Sequence, residues 1–278
     1  MFLNFVRGDL VAKYDVKFKK KYGQNFLKDP AIVKRIVDVA GIGGNSLVIE
    51  VGPGGAILTK ELASVASNVL AYEIDEDLRD ELNKRIGSFK NIDILFQDFL
   101  NSDLLNDVGK YSYDNLYFVS NVPYYITTPI ILKLINSGLH FNKIVMMVQK
   151  EVGDRFACPC GSRDYGSISV LLQYYYDVKK EFLVPRTEFI PVPNVDSVIV
   201  SFTEKEVCLP VSDFTFFEKI VHDSFQFKRK NLRNNLKNYD LSIVTEVLSK
   251  YGFDLSVRAE QLDVKVFVEL ANALTEKN

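Results

Sequence analysis

The chain has 278 residues, of which 47% are hydrophobic and 25% charged, and its formal net charge is −2 at pH 7. This composition is typical of a globular protein, and no apolar run reaches the length of a membrane-spanning helix. Three cysteines, an odd number, do not make a disulfide framework, and with only two histidines they favour no zinc site.

Predicted strands and helices alternate over most of the chain. Asp29 caps a helix that begins at Pro30 and ends at Gly41, and residues 46–58 follow as a buried strand, a glycine turn and a helix. Later strands are predicted at residues 68–72, 92–96, 115–120, 143–148, 180–184 and 197–202. We therefore expect an α/β fold, a Rossmann-like domain whose doubly wound sheet is mostly parallel. The last two strands have no helix between them, so one of them should run antiparallel.

After about residue 205 the strand pattern stops. Residues 214–236, 241–251 and 264–274 are predicted to be helical. The sequence thus predicts two domains, an α/β domain over residues 1–207 and a small all-α domain over residues 208–278.

Polar residues follow four predicted strands at their carboxyl ends. Glu50 and Gly52 end the first of these strands, and Glu73, Asp98 and Asn121 follow the next three. Ligands of a doubly wound sheet bind beyond the carboxyl ends of its strands, so these residues should share one site. There, Glu73 can accept ribose hydroxyls, Asp98 can accept an adenine amine, and the glycine turn can admit an amino-acid-like tail. Because the turn lacks the G-x-G-x-x-G spacing, we expect a nucleoside cofactor without a pyrophosphate.

The turn after the fourth strand reads Asn121-Val122-Pro123-Tyr124 and indicates a chemical step. If a planar aromatic amine is the nucleophile, the Asn121 side-chain oxygen and the Val122 carbonyl could each accept one of its N–H bonds. That would favour a pyramidal nitrogen with its lone pair aimed at an electrophile. Tyr124 offers a ring on which a flipped base can stack. The alternative is a purely structural turn with a buried tyrosine.

Positive charge is concentrated near both ends of the chain. Residues 1–28 carry seven Lys or Arg against two Asp, and residues 228–237, KRKNLRNNLK, carry five and no acid. Such clusters on an otherwise acidic chain indicate a surface that binds a polyanion. Two basic segments that merely face solvent would have the same composition.

Taken together, the motifs resemble those of the ribosomal RNA adenine dimethyltransferases, specifically the KsgA branch, and the resemblance covers nearly the whole chain. The matching segments are YGQNFL at residues 22–27, EVGPG at 50–54, NVPY at 121–124, FIPVPNVDS at 189–197, FQFKRKNLRNNL at 225–236 and RAEQL at 258–262. One departure is Ala56, where many methyltransferases keep a third glycine, and we expect it to have little effect. Another is Asn194, which replaces a lysine common in the family and would remove one RNA contact.

The resemblance implies an S-adenosylmethionine-dependent methyltransferase with S-adenosylhomocysteine as product and no metal. It would dimethylate N6 of two adjacent adenosines in the 3′-terminal hairpin of 16S ribosomal RNA during ribosome biogenesis. Its partner would be 16S ribosomal RNA or a precursor of the small ribosomal subunit. We expect a cytoplasmic monomer with no membrane partner.

The resemblance also implies roles for individual residues. In the catalytic site, Phe189 should stack on the target base opposite Tyr124, with Asn121 aligning the base's amine. The cofactor site should be lined by Asn25, Leu27, Glu50, Gly52, Glu73, Asp98 and Asn121. RNA contacts are expected from Lys19, Lys20, Lys21, Lys228, Arg229, Lys230, Arg233 and Lys237.

Three other functions remain open from the sequence. The first is the related antibiotic-resistance branch, which methylates large-subunit RNA; the RAEQL segment and the KRKNLRNNL run favour the small-subunit branch. The second is a binding factor that checks ribosome assembly, for which an eroded site would be evidence, whereas Glu73, Asp98 and Asn121 are intact. The third is a nicotinamide oxidoreductase, against which the glycine spacing argues.

Overall fold

The structure is a computed structural model that describes residues 25–206 and 208–276. The predicted RNA contacts Lys19, Lys20 and Lys21, and the first three residues of the YGQNFL motif, lie outside the described residues. No helix within these ranges is long and apolar enough to cross a membrane.

The strands are β1 (Phe26–Leu27), β2 (Ser46–Val51), β3 (Asn68–Glu73), β4 (Ile92–Phe96), β5 (Asn115–Asn121), β6 (Lys143–Gln149), β7 (Tyr176–Val184), β8 (Phe189–Ile190) and β9 (Ser197–Glu204). The helices are α1 (Pro30–Ala40), α2 (Ile57–Val65), α3 (Arg79–Ile86), α4 (Leu104–Val108), α5 (Thr127–Ile135), α6 (Lys150–Ala157), α7 (Ser167–Tyr175), α8 (Phe214–Phe225), α9 (Leu232–Asn235), α10 (Leu241–Ser249) and α11 (Val264–Thr275).

Seven strands form one sheet in the order β4-β3-β2-β5-β6-β9-β7, and β1 pairs with β8 in a separate two-stranded sheet. Strands β4 to β6 in this order pair in parallel, whereas β9 runs antiparallel to β6. The parallel strands are connected through helices, which suits strands that are buried on both faces. The predicted Rossmann-like, mostly parallel α/β fold with a helical C-terminal part is therefore confirmed.

Helix α1 shows how local sequence signals set the boundaries of an element. The Asp29 side chain accepts a hydrogen bond from the backbone N–H of Ala31 at 2.8 Å, and Pro30 occupies the first helical position. At the other end Gly41 has φ +62°, a left-handed conformation that glycine adopts without strain. The buried face of the helix, Val33, Ile36, Val37 and Ala40, joins the core that also contains β2 and β5 residues.

The chain folds into two compact units, each with its own core. The first comprises the described residues up to Lys150 together with Lys180–Thr203, and the second comprises Glu151–Lys179 and the described residues from Glu204 onward. The predicted boundary near residue 207 leaves Glu151–Lys179 in the first domain, whereas in the structure that segment belongs to the second unit. The reason is packing: Tyr165, Val170 and Tyr174 share one buried cluster with side chains of α8, α10 and α11.

The predicted long helix over residues 214–236 is wrong. Helix α8 ends at Phe225, a turn follows, and the short helix α9 begins at Leu232. The buried side chain of Asn235 explains the break, because its Nδ2 donates to the carbonyl of Ser224 at 2.6 Å and its Oδ1 accepts from the N–H of Phe227 at 3.2 Å. These bonds replace helical backbone bonds and hold the basic segment as a turn.

Candidate active site

A cavity lies beyond the carboxyl ends of β2, β3, β4 and β5, where the strand order reverses between β2 and β5. Most of the predicted site residues line it, namely Asn25, Leu27, Glu50, Gly52, Glu73, Asp98, Asn121 and Tyr124. Phe189 does not. The parallel sheet brings these residues together because it places the ends of its strands along one edge.

The glycine turn after β2 lets other groups approach the backbone closely. Gly54 has φ +49°, and a Cβ at this position would lie 2.3 Å from Cε1 of Phe26. Ala56 also has a left-handed φ of +57°, although it carries a Cβ, and it is fully buried at the start of α2. A left-handed conformation costs an L-residue about 1–2 kcal/mol, so Ala56 is held there against its intrinsic preference.

The carboxylate of Glu73 is fixed by two backbone donors. Its Oε1 accepts from the N–H of Asp75 at 2.9 Å, and its Oε2 accepts from the N–H of Gly54 at 3.4 Å. Burial raises the pKa of Glu73, while these backbone hydrogen bonds act in the opposite direction. Glu73 therefore ties the end of β3 to the glycine turn after β2 and holds its carboxylate at the cavity.

Glu50 contrasts with Glu73, because its Oε2 is buried and has no hydrogen-bond partner. The residue is 2% exposed and lines the same cavity. Burial raises the pKa of Glu50 to about 8, with a further contribution from the charge of Glu73. An unpaired buried carboxylate is costly, so this environment favours the protonated form of Glu50, and its Oε2 is available to a ligand.

We expect this raised pKa to make the protein less stable as pH increases. The folded state keeps the proton of Glu50 up to about pH 8, whereas the unfolded chain loses it near the ordinary value of 4.5. The free energy of unfolding should therefore fall between those pH values, by a total on the order of a few kcal/mol, and level off above them.

In Glu50→Gln this contribution to the slope should vanish, which calorimetric melts of both proteins from pH 5 to 9 would measure. The exposed Glu76, replaced by Gln, serves as the control and should keep the wild-type slope. Parallel stability curves for wild type and Glu50→Gln would contradict the protonated state of Glu50.

The third carboxylate, Asp98, caps the short turn that follows β4. Its Oδ1 accepts from the N–H of Leu100 at 2.9 Å and its Oδ2 from Nδ2 of Asn101 at 2.8 Å. Its neighbour Gln97 also lines the cavity and donates to Asp107 at 3.2 Å. Gln97 follows the same strand end as Asp98, so the strand-end pattern that identified Asp98 could also have identified it.

Asn121 and Tyr124 are held by contacts from distant parts of the chain. Nδ2 of Asn121 donates to the backbone carbonyl of Asn25 at 3.1 Å. This bond engages the amide nitrogen and orients Oδ1 of Asn121 as the acceptor of the side chain. The Tyr124 hydroxyl and Ser197 Oγ are 2.6 Å apart, which fixes the ring at the cavity.

The predicted stacking role of Phe189 is not supported by its position. Its side chain is 0% exposed and packs in the core that contains Leu27 and Val33. The cause is the pairing of β1 with β8, which places Phe189 opposite Leu27. The exposed aromatic residue at the cavity is instead Tyr125, with 55% of its surface accessible. Its only sequence signal is that it adjoins Tyr124.

A second group of candidate residues lies in the second unit. All five predicted basic residues of this unit are exposed: Lys228, Arg229, Lys230, Arg233 and Lys237. The first three lie in the turn between α8 and α9, and not in the helix predicted over residues 214–236. Arg163 and Arg258 line a shallow concavity together with Lys228 and Arg229, with Glu260 as its acidic member. Because the fold brings Arg163 there from a distant segment, local sequence could not have grouped it with them.

The lining of the main cavity fits a cationic nucleoside. Three carboxyl groups reach it, those of Glu50, Glu73 and Asp98, and none of the described lining residues is Lys, Arg or His. The unpaired Oε2 of Glu50 is the feature that a bound ligand would use. In the described ranges, the cavity included, no group of three or more His, Cys, Asp or Glu residues could hold a metal ion.

Comparisons with known proteins extend over nearly the whole chain. The model of the family described as ribosomal RNA adenine dimethylase matches residues 15–276. The "Ribosomal RNA small subunit methyltransferase A" of Bacillus mycoides (strain KBAB4) is 41% identical over 276 residues, covering 96% of this chain and 94% of that protein. The protein of the same name from Bacillus anthracis (strain CDC 684 / NRRL 3495) gives the same identity and coverage.

Two solved structures share the fold at 26% sequence identity. A dimethyladenosine transferase from Plasmodium falciparum aligns with a TM-score of 0.74, over 88% of this chain and 95% of that one. The 23S rRNA methyltransferase ErmE aligns with a TM-score of 0.70, over 90% of this chain and 99% of that one.

Proposed function

The chain belongs to the ribosomal RNA adenine dimethylase family, and from this premise we propose that it dimethylates N6 of two adjacent adenosines in the 3′-terminal hairpin of 16S ribosomal RNA. It is an S-adenosylmethionine-dependent ribosomal RNA methyltransferase. The observation that carries the choice of an adenine amine is the Asn121 turn, which presents a side-chain acceptor at a cavity suited to a cationic nucleoside.

Within that cavity, the residues that would hold the cofactor follow from their chemistry. Glu73 is positioned to accept ribose hydroxyls, Asp98 to accept the adenine amine, and the glycine turn at Gly52 lines the cavity where the methionine end would lie. S-adenosylmethionine supplies a methyl group that its positive sulfonium makes electrophilic. The remaining chemistry is positioning, which the protein provides.

For the methyl acceptor, we assign Oδ1 of Asn121 to an N–H of the target adenine. This acceptor is already oriented before RNA binds, because Nδ2 of the same amide is engaged by Asn25. Such a preorganised acceptor stabilises the nitrogen as it becomes pyramidal more than it stabilises the planar ground state, which raises the rate. The ring of Tyr124, fixed through Ser197, offers a stacking surface for the flipped base. Among the described residues that line the cavity, Tyr125 and not Phe189 is the other aromatic side chain exposed to RNA.

We assign RNA phosphate contacts to the basic turn Lys228–Lys230 and to Arg233 and Lys237. All are exposed, and Arg163 and Arg258 add to the positive charge beside the turn. Phosphate contacts position a protein on nucleic acid without reading its sequence, so this surface would supply affinity, and the cavity would select the base. The helical second domain would thus be the main RNA-binding part.

Replacing Lys228, Arg229 and Lys230 together by Ala should flatten the salt dependence of RNA binding. Each lost phosphate contact lowers the slope of log K against log salt by about 0.7–0.9, so the triple variant should lose roughly 2–3. Filter binding of small-subunit RNA at several salt concentrations measures the slope. The double variant Lys250→Ala/Lys265→Ala, exposed lysines of the same unit, should keep it. An unchanged slope in the triple variant would mean that the turn is a solvated surface.

The substrate itself is tested by methyl mapping. Small subunits from cells that lack the gene, incubated with the protein and labelled S-adenosylmethionine, should gain label on two neighbouring adenosines near the 3′ end of 16S RNA. Large subunits from the same cells serve as the second arm and should stay unlabelled. Label in 23S RNA alone would assign the chain to the large-subunit branch instead.

We further propose that the enzyme acts as a cytoplasmic monomer on a precursor of the small subunit.

A further inference from the structure

The three carboxyl groups of the cavity differ in the hydrogen-bond donors that they contact. Glu73 accepts two backbone N–H groups, and Asp98 accepts one backbone and one side-chain donor. Oε2 of Glu50 has no partner, and the residue is 2% exposed. A buried carboxylate with an unpaired oxygen is much less stable in its charged form, so the geometry around Glu50 favours its protonated form.

Among the described residues that line the cavity, no cation neutralises the charge of Glu50. The titratable residues that line the cavity with it are Tyr72 and Glu73 from β3, Asp98 after β4, and Tyr124 and Tyr125 after β5. From α2 the hydroxyl of Thr59, which does not titrate, acts to lower the pKa of Glu50, but burial raises it more. The charge of Glu73 makes ionisation of Glu50 harder. A positively charged ligand would make it easier.

We propose that Glu50 holds a proton in the cofactor-free protein and releases it to solvent when the cationic cofactor binds, so that cofactor affinity is coupled to pH. The proposal rests on the proposed function for the identity of the ligand. It gives Glu50 two states, a neutral acid that the buried site tolerates and a carboxylate that attracts the bound cation. The raised pKa of Glu50, about 8, agrees with the first state.

The sign of the coupling follows from linkage. A bound cation lowers the pKa of Glu50, so binding below the free value releases a proton, and affinity rises with pH up to that value. At pH 7 a group with a pKa of about 8 is protonated in about nine molecules of ten, so binding should release close to one proton. The ligand's own α-amino group can also exchange a proton on binding, and the comparison with a Glu50 variant controls for its contribution.

The experiment is titration calorimetry of the full-length protein at pH 7 with S-adenosylmethionine and, separately, S-adenosylhomocysteine, in two buffers with different ionisation enthalpies. The difference in apparent enthalpy gives the number of protons released. With S-adenosylmethionine, wild type should release about 0.9 proton more than Glu50→Gln, and with S-adenosylhomocysteine, which lacks the sulfonium charge, the excess should be smaller. Asp98→Asn is the matched control: it removes another cavity carboxylate, so it should bind the ligands more weakly and release the same number of protons as wild type.

Equal proton release by wild type and Glu50→Gln would overturn the proposal. If Glu50→Gln does not fold, the wild-type protein alone still tests the proposal. A wild-type protein that binds the cofactor at pH 7 without releasing a proton cannot contain a protonated Glu50 that ionises on binding. Failure of the wild-type protein to bind either ligand would instead overturn the assignment of the cavity to the cofactor. The two failures are therefore distinguishable.

Discussion

Asn121→Ala is expected to lower the single-turnover rate of methyl transfer by two to three orders of magnitude when RNA and cofactor are both saturating. The variant removes Oδ1, the acceptor that gains strength as the adenine nitrogen becomes pyramidal. Removal of one preorganised group of this kind raises the barrier by about 3–4 kcal/mol. RNA affinity should change much less, because the phosphate contacts proposed for the second unit would supply most of it.

Two further variants separate the chemical role of Asn121 from its structural role. Asn121→Asp keeps an oxygen acceptor but loses the donation to the carbonyl of Asn25, so it should retain more of the rate than Asn121→Ala. Asn115→Ala changes the same residue type at the opposite end of β5, away from the cavity, and should leave the rate unchanged. If Asn121→Ala transfers methyl groups at the wild-type rate, Asn121 is not the acceptor and residues 121–124 form only a structural turn.

The composition of the cavity could be predicted from the sequence because of a general property of parallel sheets. Each strand is a short apolar run, and the polar residue that ends the run falls at the same edge as its counterparts. This rule required no knowledge of strand order, so Glu50, Glu73, Asp98 and Asn121 could be grouped before the topology was known. The hydrogen bond from Asn121 to Asn25 could not be predicted, because it joins residues 96 positions apart.

Phe189 and the basic segment show where local patterns stop being sufficient. An aromatic residue between polar and proline residues can face solvent or core, and only the pairing of β1 with β8 decides that Phe189 is buried. In the basic segment the apolar spacing continues through residues 225–236, which favours one helix. The side chain of Asn235 overrides it by bonding to the backbone of Ser224 and Phe227. A single polar residue at a buried position thus decides a local structure that hydrophobic periodicity predicts incorrectly.

Glu73→Ala is expected to weaken S-adenosylmethionine binding by about ten- to a hundredfold, measured by titration calorimetry. The change would remove a proposed charge-assisted hydrogen bond to the ribose, worth roughly 1.5–3 kcal/mol. Glu61→Ala, on α2 and outside the cavity lining, should bind with wild-type affinity. The same affinity in a folded Glu73→Ala protein would show that the ribose is held elsewhere.

The structure gives a second reason why Glu73→Ala should lose cofactor affinity, besides the lost ribose contact. A further variant separates these two causes. Without its carboxylate the N–H groups of Gly54 and Asp75 lose their acceptor, so the glycine turn itself could loosen. Glu73→Gln keeps one carbonyl oxygen, which can serve a backbone N–H but cannot replace the charge or accept two ribose hydroxyls bidentately. If the ribose contact dominates, Glu73→Gln should bind almost as weakly as Glu73→Ala while its melting temperature stays near that of wild type. If the turn dominates, Glu73→Gln should recover most of the affinity, and the melting temperature of Glu73→Ala should fall together with its binding.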